Sequence, residues 1–479
     1  MKATVCLACQ SLWRKRDALG VEGFALDRHT CWRGGEYKVL QTPHKIGLGA
    51  FVLLMGASLL AMRPHQAVDT QKAQLAQAHL KLASVSSEAR RDIDYRLLDS
   101  RLKQLAAKPA MVGLAVGIVE NGRITFLQGY GETVAGSGDP VTPQTVFRWA
   151  SVSKGVAATM VAKLAQQGKI NLQAPVAQYA PDLRLPAGNE NRATVGDLLS
   201  HRLGLYRNAY DNKLEEGQDP SLLRSSLAQL NSICPPGTCW SYQNVAYDAS
   251  SEMVARTTGM PYEEAVRHYL FNPIGMSSGS VSMAGLESNR SWARPHAGGS
   301  KPLPMIDTYY KVPAAGGVNS NIKDMALWML AQMGAMPDVL DAKLLDTIHA
   351  PLVVTPSERG RLRKFLERLG TAWYGYGWRS YDYSGHRIIG HRGGINGYRS
   401  LILFDPAKKS GVVALWNSNT SQPGGLEFEV MDMLYGLPFR DWMELNGRPG
   451  SKTQEIAATD AEPENGSGDA PADRRRRGR

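Results

Sequence analysis

The apolar residues of this 479-residue chain recur at two periods, and one uninterrupted apolar run stands apart from both. Over 91–107, Ile93, Leu97, Leu98, Leu102 and Leu105 predict an amphipathic helix with a core-facing stripe. Two strand-like runs follow, 112–120 and 123–128, and Asn121-Gly122 between them predicts a tight hairpin. From Gly155 the chain reads Gly-Val-Ala-Ala-Thr-Met-Val-Ala, small residues that suit a helix buried at the centre of a domain. A middle region from about 170 to 340 is rich in Gly, Pro and Asn and carries helical patterns near 194–200, 245–259 and 261–271. Strand patterns return at 387–389, 399–404 and 411–416, with a turn at 406–410, and a last helix is expected at 426–436. Early and late strands around a helical middle predict an α/β (more narrowly α+β) fold. It would be an antiparallel sheet flanked by helices, with a mostly helical domain inserted and the ligand site between the two.

The uninterrupted run is Ile46 to Met62, 17 residues without a charge. That is the lower limit for a membrane span and overlaps a signal-peptide core. No small-x-small cleavage site follows, since His65-Gln66-Ala67 has His where a small residue is wanted, so the expectation is an uncleaved anchor in a cytoplasmic membrane. Four Lys/Arg in 26–45 against three in 63–82 lean toward residues 1–45 inside, and so toward a bacterial inner-membrane protein with a periplasmic catalytic domain. Secretion after cleavage is the alternative. With the anchor uncleaved, residues 1–45 are cytoplasmic, or they lie ahead of a translation start nearer the run. Residues 63–90, rich in Gln and Ala, read as a linker, 91–440 as the main domain, and 451–479 as a disordered tail ending in Arg474-Arg-Arg-Arg-Gly-Arg.

Composition adds little. Hydrophobic content of 43% allows a sizeable core. The net charge of +11 owes part of its size to the tail, so it argues for no nucleic-acid groove. Cys6, Cys9 and Cys31 with His29 match no common zinc spacing, and no metal or other cofactor is expected. Cys234 and Cys239 bracket Pro-Pro-Gly-Thr, a turn that could bring two thiols together; a disulfide there would fit an oxidising compartment.

Candidate chemistry begins with Ser-x-x-Lys. Residues three apart on a helix share a face, and a deprotonated Lys there can take the proton of the Ser hydroxyl. The chain holds three such pairs: Ser100/Lys103, Ser151/Lys154 and Ser320/Lys323. Ser100 lies in the amphipathic helix, and Ser320 after Gly316-Gly317 and Asn319 reads as a helix cap; Ser151 alone opens the small-residue helix. Tyr-x-Asn also occurs three times, at Tyr206/Asn208, Tyr210/Asn212 and Tyr242/Asn244. A phenol beside an ammonium can pass protons, and an amide can hold a substrate carbonyl. Tyr242/Asn244 is singled out, because Pro235-Pro-Gly before it and an apolar helix after it pin its loop. His-x-Gly occurs at His296–Gly298 and at His391-Arg-Gly393; glycines 393 and 394 beside a strand would let a substrate backbone approach and could offer amides to an oxyanion. Gly275-Met-Ser277-Ser-Gly279 matches a nucleophile elbow, but no strand pattern precedes it.

Together these stretches resemble the class C β-lactamase and penicillin-binding-protein-like serine hydrolases. The resemblance rests on Thr142-Pro-Gln-Thr-Val-Phe-Arg-Trp-Ala-Ser-Val-Ser-Lys154, Gly196-Asp-Leu-Leu-Ser-His-Arg-Leu-Gly-Leu205, Pro236-Gly with Tyr242-Gln-Asn, Ala314-Ala-Gly-Gly and Gly390-His-Arg-Gly-Gly. It implies Ser151 as nucleophile, Lys154 and Tyr242 as proton carriers, Asn244, His391, Gly393 and Gly394 as substrate-binding positions, and an oxyanion hole from the amides of Ser151 and Gly394. It implies hydrolysis of ester, D-amino-acid peptide or β-lactam bonds through an acyl-enzyme, on small or peptidoglycan-derived substrates. A tethered penicillin-recognising sensor that acylates without turnover is the rival. One departure matters: the family's Lys-Thr-Gly is His391-Arg-Gly here, so the fixed charge that grips a β-lactam carboxylate is missing unless Arg392 supplies it, and strand alternation points Arg392 away from His391.

Overall fold

A computed structural model describes residues 92–298 and 301–446. The apolar run 46–62, the cysteines at 6, 9 and 31, the linker and the basic tail lie outside the described residues. Among the described residues no helix is long and apolar enough to cross a membrane.

The chain enters through helix α1 (Tyr95–Ala106), whose first amides are capped by the Asp94 carboxylate. Strands β1 (Gly113–Glu120) and β2 (Arg123–Gly131) form the expected hairpin, with both Asn121 and Gly122 at positive φ. A short β3 (Val146–Arg148) leads through a 3-10 turn into α2 (Ser153–Gln166). The middle region supplies short α3 (Val195–Leu199) and α4 (Asp211–Glu215), then α5 (Ala249–Thr258), and β4 (Asn319–Asn321), which pairs with β3. Helices α6 (Ile322–Gln332) and α7 (Ala342–His349) precede the late strands, and α8 (Pro356–Arg361) falls between the first two of them. The late strands are β5 (Val353–Val354), β6 (Leu369–Tyr374), β7 (Arg379–Tyr383), β8 (His386–Ile395), β9 (Tyr398–Asp405) and β10 (Ser410–Trp416), followed by α9 (Leu426–Leu434). Ser320 sits in β4, and it is Asn321 that caps α6, one residue later than the sequence suggests.

Eight strands form one antiparallel sheet in the order β2-β1-β10-β9-β8-β7-β6-β5. β1 closes directly on β10, so the first and last strands of the domain are neighbours and the helical middle is an insertion. Alternation sorts the core. Leu114, Val116, Ile118, Leu401, Leu403, Val412 and Ala414 pack with α1 and α9, while Ala115, Val119, Ile402, Phe404, Val413 and Leu415 pack with α2, α5 and α6. Packing continues past residue 440, since Trp442, Met443 and Leu445 are buried and Arg101 of α1 pairs with Glu429 and Asp441.

Three strands absent from the sequence expectation, β5, β6 and β7, extend the sheet beyond β8. Their pairing decides the site. β7 begins at Arg379, opposite Gly390, so among the described residues the continuing stretch His391–Ile395 pairs with β9 alone and has no strand along its other edge.

Candidate active site

The turn into α2 is strained and tightly held. Ala150, just before Ser151, has φ +46°. A non-glycine residue in the left-handed region costs about 1 kcal/mol or more, and such strain persists only where the surroundings fix it. Here the Trp149 amide donates to Val318 O (2.8 Å), its indole to Ser320 Oγ (2.9 Å), and Ser400 Oγ to Trp149 O (2.6 Å). β8 then passes so close that a Cβ at Gly393 would stand 2.3 Å from Trp149 O and 3.0 Å from Ser151 N. Only glycine allows that approach.

Lys154, one helical turn after Ser151, is fully buried. Its Nζ lies 3.5 Å from Ser151 Oγ, 2.6 Å from Asn244 Oδ1 and 3.0 Å from Ala315 O. Asn244 Oδ1 and Ala315 O can only accept. A neutral lysine amine has two N–H bonds and one lone pair, so it would give its hydrogens to these oxygens and turn its lone pair to the Ser151 hydroxyl. The Tyr242 ring covers this amine, centroid 4.7 Å from Nζ. The remaining side of Asn244 is set by Asp211 at the start of α4, whose Oδ2 accepts from Asn244 Nδ2 at 2.6 Å. Burial raises the Asp211 carboxyl to about 6, against the opposing pulls of Asn244 and the Lys154 charge.

The third motif is arranged differently from a simple charge grip. His391 is buried; Tyr374 Oη lies 3.2 Å from its Nε2, and its Nδ1 lies 2.6 Å from Arg392 O. Burial, then the charges of Arg379 and Lys154, hold its pKa well below the usual histidine range, so it is neutral. Arg392 is on the opposite face, paired with Glu427 at the start of α9, as alternation requires. Neither residue presents a free cation beside Ser151.

The other motif copies are structural. Ser100 rides on the helix far from these groups in the fold, among α1 residues packed against the opposite face of the sheet. Tyr206 is largely exposed, and the Asn208 amide donates to Tyr242 O (2.9 Å), so the first Tyr-x-Asn supports the loop of the third. His296 is buried, with Nε2 accepting from the Ala135 amide (3.2 Å) and Nδ1 donating to Asn417 O (3.1 Å). Ser277 follows a helical turn, with no strand entering it. Cys234 and Cys239 are joined in a disulfide, Cα atoms 6.3 Å apart, at the base of the loop carrying Tyr242. Among the described residues no cluster of His, Cys, Asp or Glu is arranged to hold a metal ion.

Sequence reading missed Asp211, His201, Tyr374 and Arg379. His201 lay inside a quoted stretch, but no spacing joins it to residues 374 or 391; only the sheet does.

An antiparallel sheet in which the first and last strands pair, a buried Ser-x-x-Lys at the head of the central helix, and a Tyr-x-Asn loop over the lysine together make up the candidate site. The chain belongs to the β-lactamase family, whose model matches residues 98–431. It is similar to an unguisins hydrolase of Aspergillus campestris, 28% identical over 67% of this chain and 61% of that protein. It is also similar to penicillin-binding protein 4 of Amycolatopsis lactamdurans, 28% identical over 77% of this chain and 94% of the relative. A third relative is the esterase EstB of Burkholderia gladioli, 29% identical over 65% and 80%. The fold matches that of an octameric penicillin-binding-protein homologue from Pyrococcus abyssi, with TM-score 0.64 and 22% identity over 72% of this chain and 78% of that one. The chain thus spans about three fifths of the length of the unguisins hydrolase.

Proposed function

We propose that this chain is a serine hydrolase that works through an acyl-enzyme on ester or D-amino-acid peptide bonds. The observation that carries the reading is the Lys154 amine, buried, one turn from Ser151 and held by two acceptor-only groups. Burial works against the charged form of an ammonium, which is the direction a base at this position requires. Ser151 Oγ attacks the substrate carbonyl while its proton passes to Lys154 Nζ. The oxyanion is taken by the amides of Ser151 and Gly394, and the substrate backbone lies along the open edge of β8 at Gly393. The leaving group takes a proton through Tyr242, Asn244 holds the substrate amide with its second Nδ2 hydrogen, and water then cleaves the Ser151 ester.

β-Lactams are poor substrates on this reading, because His391 is neutral and Arg392 is turned to Glu427. Losing one charge-assisted hydrogen bond to a carboxylate costs about 1.5–3 kcal/mol, or roughly 10–150-fold. Residues 46–62 are proposed as the anchor, with 63–90 as linker and the catalytic domain outside the cytoplasmic membrane, where the Cys234–Cys239 bond is stable.

The test is labelling and turnover together. A fluorophosphonate adduct should map to the peptide carrying Ser151, and p-nitrophenyl butyrate should be turned over many times per enzyme. An adduct that persists in Ser151→Ala overturns the nucleophile; stoichiometric acylation without turnover makes the chain a sensor instead.

A further inference from the structure

Three hydrogen bonds link the Tyr242 loop to β8, and a fourth holds the last ring to its own strand, through residues that the proposed acyl-enzyme chemistry does not use. The Gln243 amide donates to His201 Nδ1 (3.2 Å). His201 Nε2 and Tyr374 Oη are 3.2 Å apart, and Tyr374 Oη and His391 Nε2 are 3.2 Å apart. His391 Nδ1 lies 2.6 Å from Arg392 O. The two ends fix the direction. A backbone N–H only donates, so His201 Nδ1 carries the lone pair and Nε2 the proton. A carbonyl only accepts, so His391 Nδ1 carries the proton and Nε2 the lone pair. Tyr374 is left to accept from one histidine and donate to the other, which is what one hydroxyl can do. With both rings neutral, as their burial favours, this order of donors and acceptors makes the two histidines of opposite tautomer.

The bridge is sealed: His201, Tyr374 and His391 are all nearly inaccessible. It also touches the reactive groups. The His201 ring packs against Tyr242 with centroids 4.4 Å apart and planes tilted by 42°, and Gln243 lies between Tyr242 and Asn244 in the chain. Its far end is the strand residue two before Gly393. Burial above all, and then the nearby Arg379 and Arg207 guanidinium groups, favour the neutral imidazoles, with Glu358 opposing at His391.

We propose that His201 and Tyr374 are positioning residues: with His391 they form a one-way hydrogen-bonded bridge that sets the distance between Tyr242–Asn244 and the Gly393–Gly394 edge. This rests on the reading of Ser151 as nucleophile. Tyr374→Phe keeps the ring and removes the central hydroxyl, orphaning a donor and an acceptor where water does not reach. The expected result is a kcat on p-nitrophenyl butyrate lowered roughly 10–100-fold with KM within about threefold, since alignment rather than binding is lost.

The test uses the full-length chain. Long-range 1H–15N spectra of 15N-histidine protein at pH 7.5, assigned by contacts to the Tyr242 and Tyr374 rings and by single His→Asn substitutions, should show His201 as the Nε2–H form and His391 as the Nδ1–H form. Like tautomers, or a charged ring at either position, overturn the bridge. So does a Tyr374→Phe enzyme with parental kcat, or one whose loss is all in KM. If Tyr374→Phe does not fold, the parental spectrum still decides. Ser151→Ala separates the two readings. If it is inactive while Tyr374→Phe is unaffected, the bridge fails and the nucleophile stands. If it turns over ester, the nucleophile reading fails.

Discussion

Replacing Asp211 by Asn should make the protein more stable at neutral pH and less active. The carboxylate is buried, one oxygen receives Asn244 Nδ2, and Oδ1 has no hydrogen-bond partner among the described residues. Burial pushes the carboxyl pKa up to about 6 in the fold, from the 3.8 of an exposed Asp. The folded state therefore holds a proton that the unfolded state releases between pH 3.8 and 6, and the stability this gives is lost as pH rises through that window. The shift of about two units corresponds to about 3 kcal/mol, at 1.36 kcal/mol per unit. The amide resembles the protonated acid in shape and charge, so Asp211→Asn should gain up to about 3 kcal/mol at pH 7.5 and almost nothing at pH 4. The new Nδ2 facing the unpaired side reduces the gain, so the figure is an upper bound. Urea unfolding of parent and variant, followed by tryptophan fluorescence at pH 4, 5, 6 and 7.5, measures the difference directly. A difference that does not grow with pH, or a variant less stable at pH 7.5 than at pH 4 relative to the parent, refutes the reasoning. Ester turnover should fall by roughly 10–150-fold, because the charge-assisted bond that orients Asn244 is worth about 1.5–3 kcal/mol. Destabilisation by this carboxylate is then the cost of orienting Asn244.

Lys154→Met should lose ester turnover by at least about 10³-fold while remaining folded, since Met fills the buried stem and removes only the base; steady-state rates and a urea midpoint check both. Gly393→Ala should lower stability by about 2 kcal/mol or more and abolish acylation by fluorophosphonate, because its Cβ would meet Trp149 O at 2.3 Å; parental labelling would show that β8 can retreat. Changing Cys234 and Cys239 to Ser should cost about 2 kcal/mol, the closure entropy of so short a loop, with non-reducing peptide mapping to show the link in the parent. Catalytic efficiency on a chromogenic cephalosporin should stay below that on p-nitrophenyl butyrate; a value near 10⁶ M⁻¹s⁻¹, on the general scale of efficient enzymes, would mean that another cation reaches the substrate carboxylate.

Local physics alone settles a good part of this molecule. Asn121-Gly122 makes its hairpin wherever it stands, because both residues accept positive φ. The spacing of Ser151 and Lys154 puts them on one helical face, and the small residues after them let that helix be buried on nearly every side. Alternation along β8 separates His391 from Arg392 without reference to any neighbour. The rest depended on which segments meet. β6 and β7 carry Gly, Thr, Arg and Asp among their aromatics, so neither period is clear in the sequence; Arg379 is buried in β7 beside Glu358 of α8, 2.7 Å away, and over the rings of Trp240, Tyr242 and Tyr374. Asp211 meets Asn244 across 33 residues, and His201 meets Tyr374 across 173. No local rule specifies such pairs, because a buried polar group is satisfied by whatever partner the packed sheet and helices bring within about 3 Å, and that choice belongs to the tertiary structure.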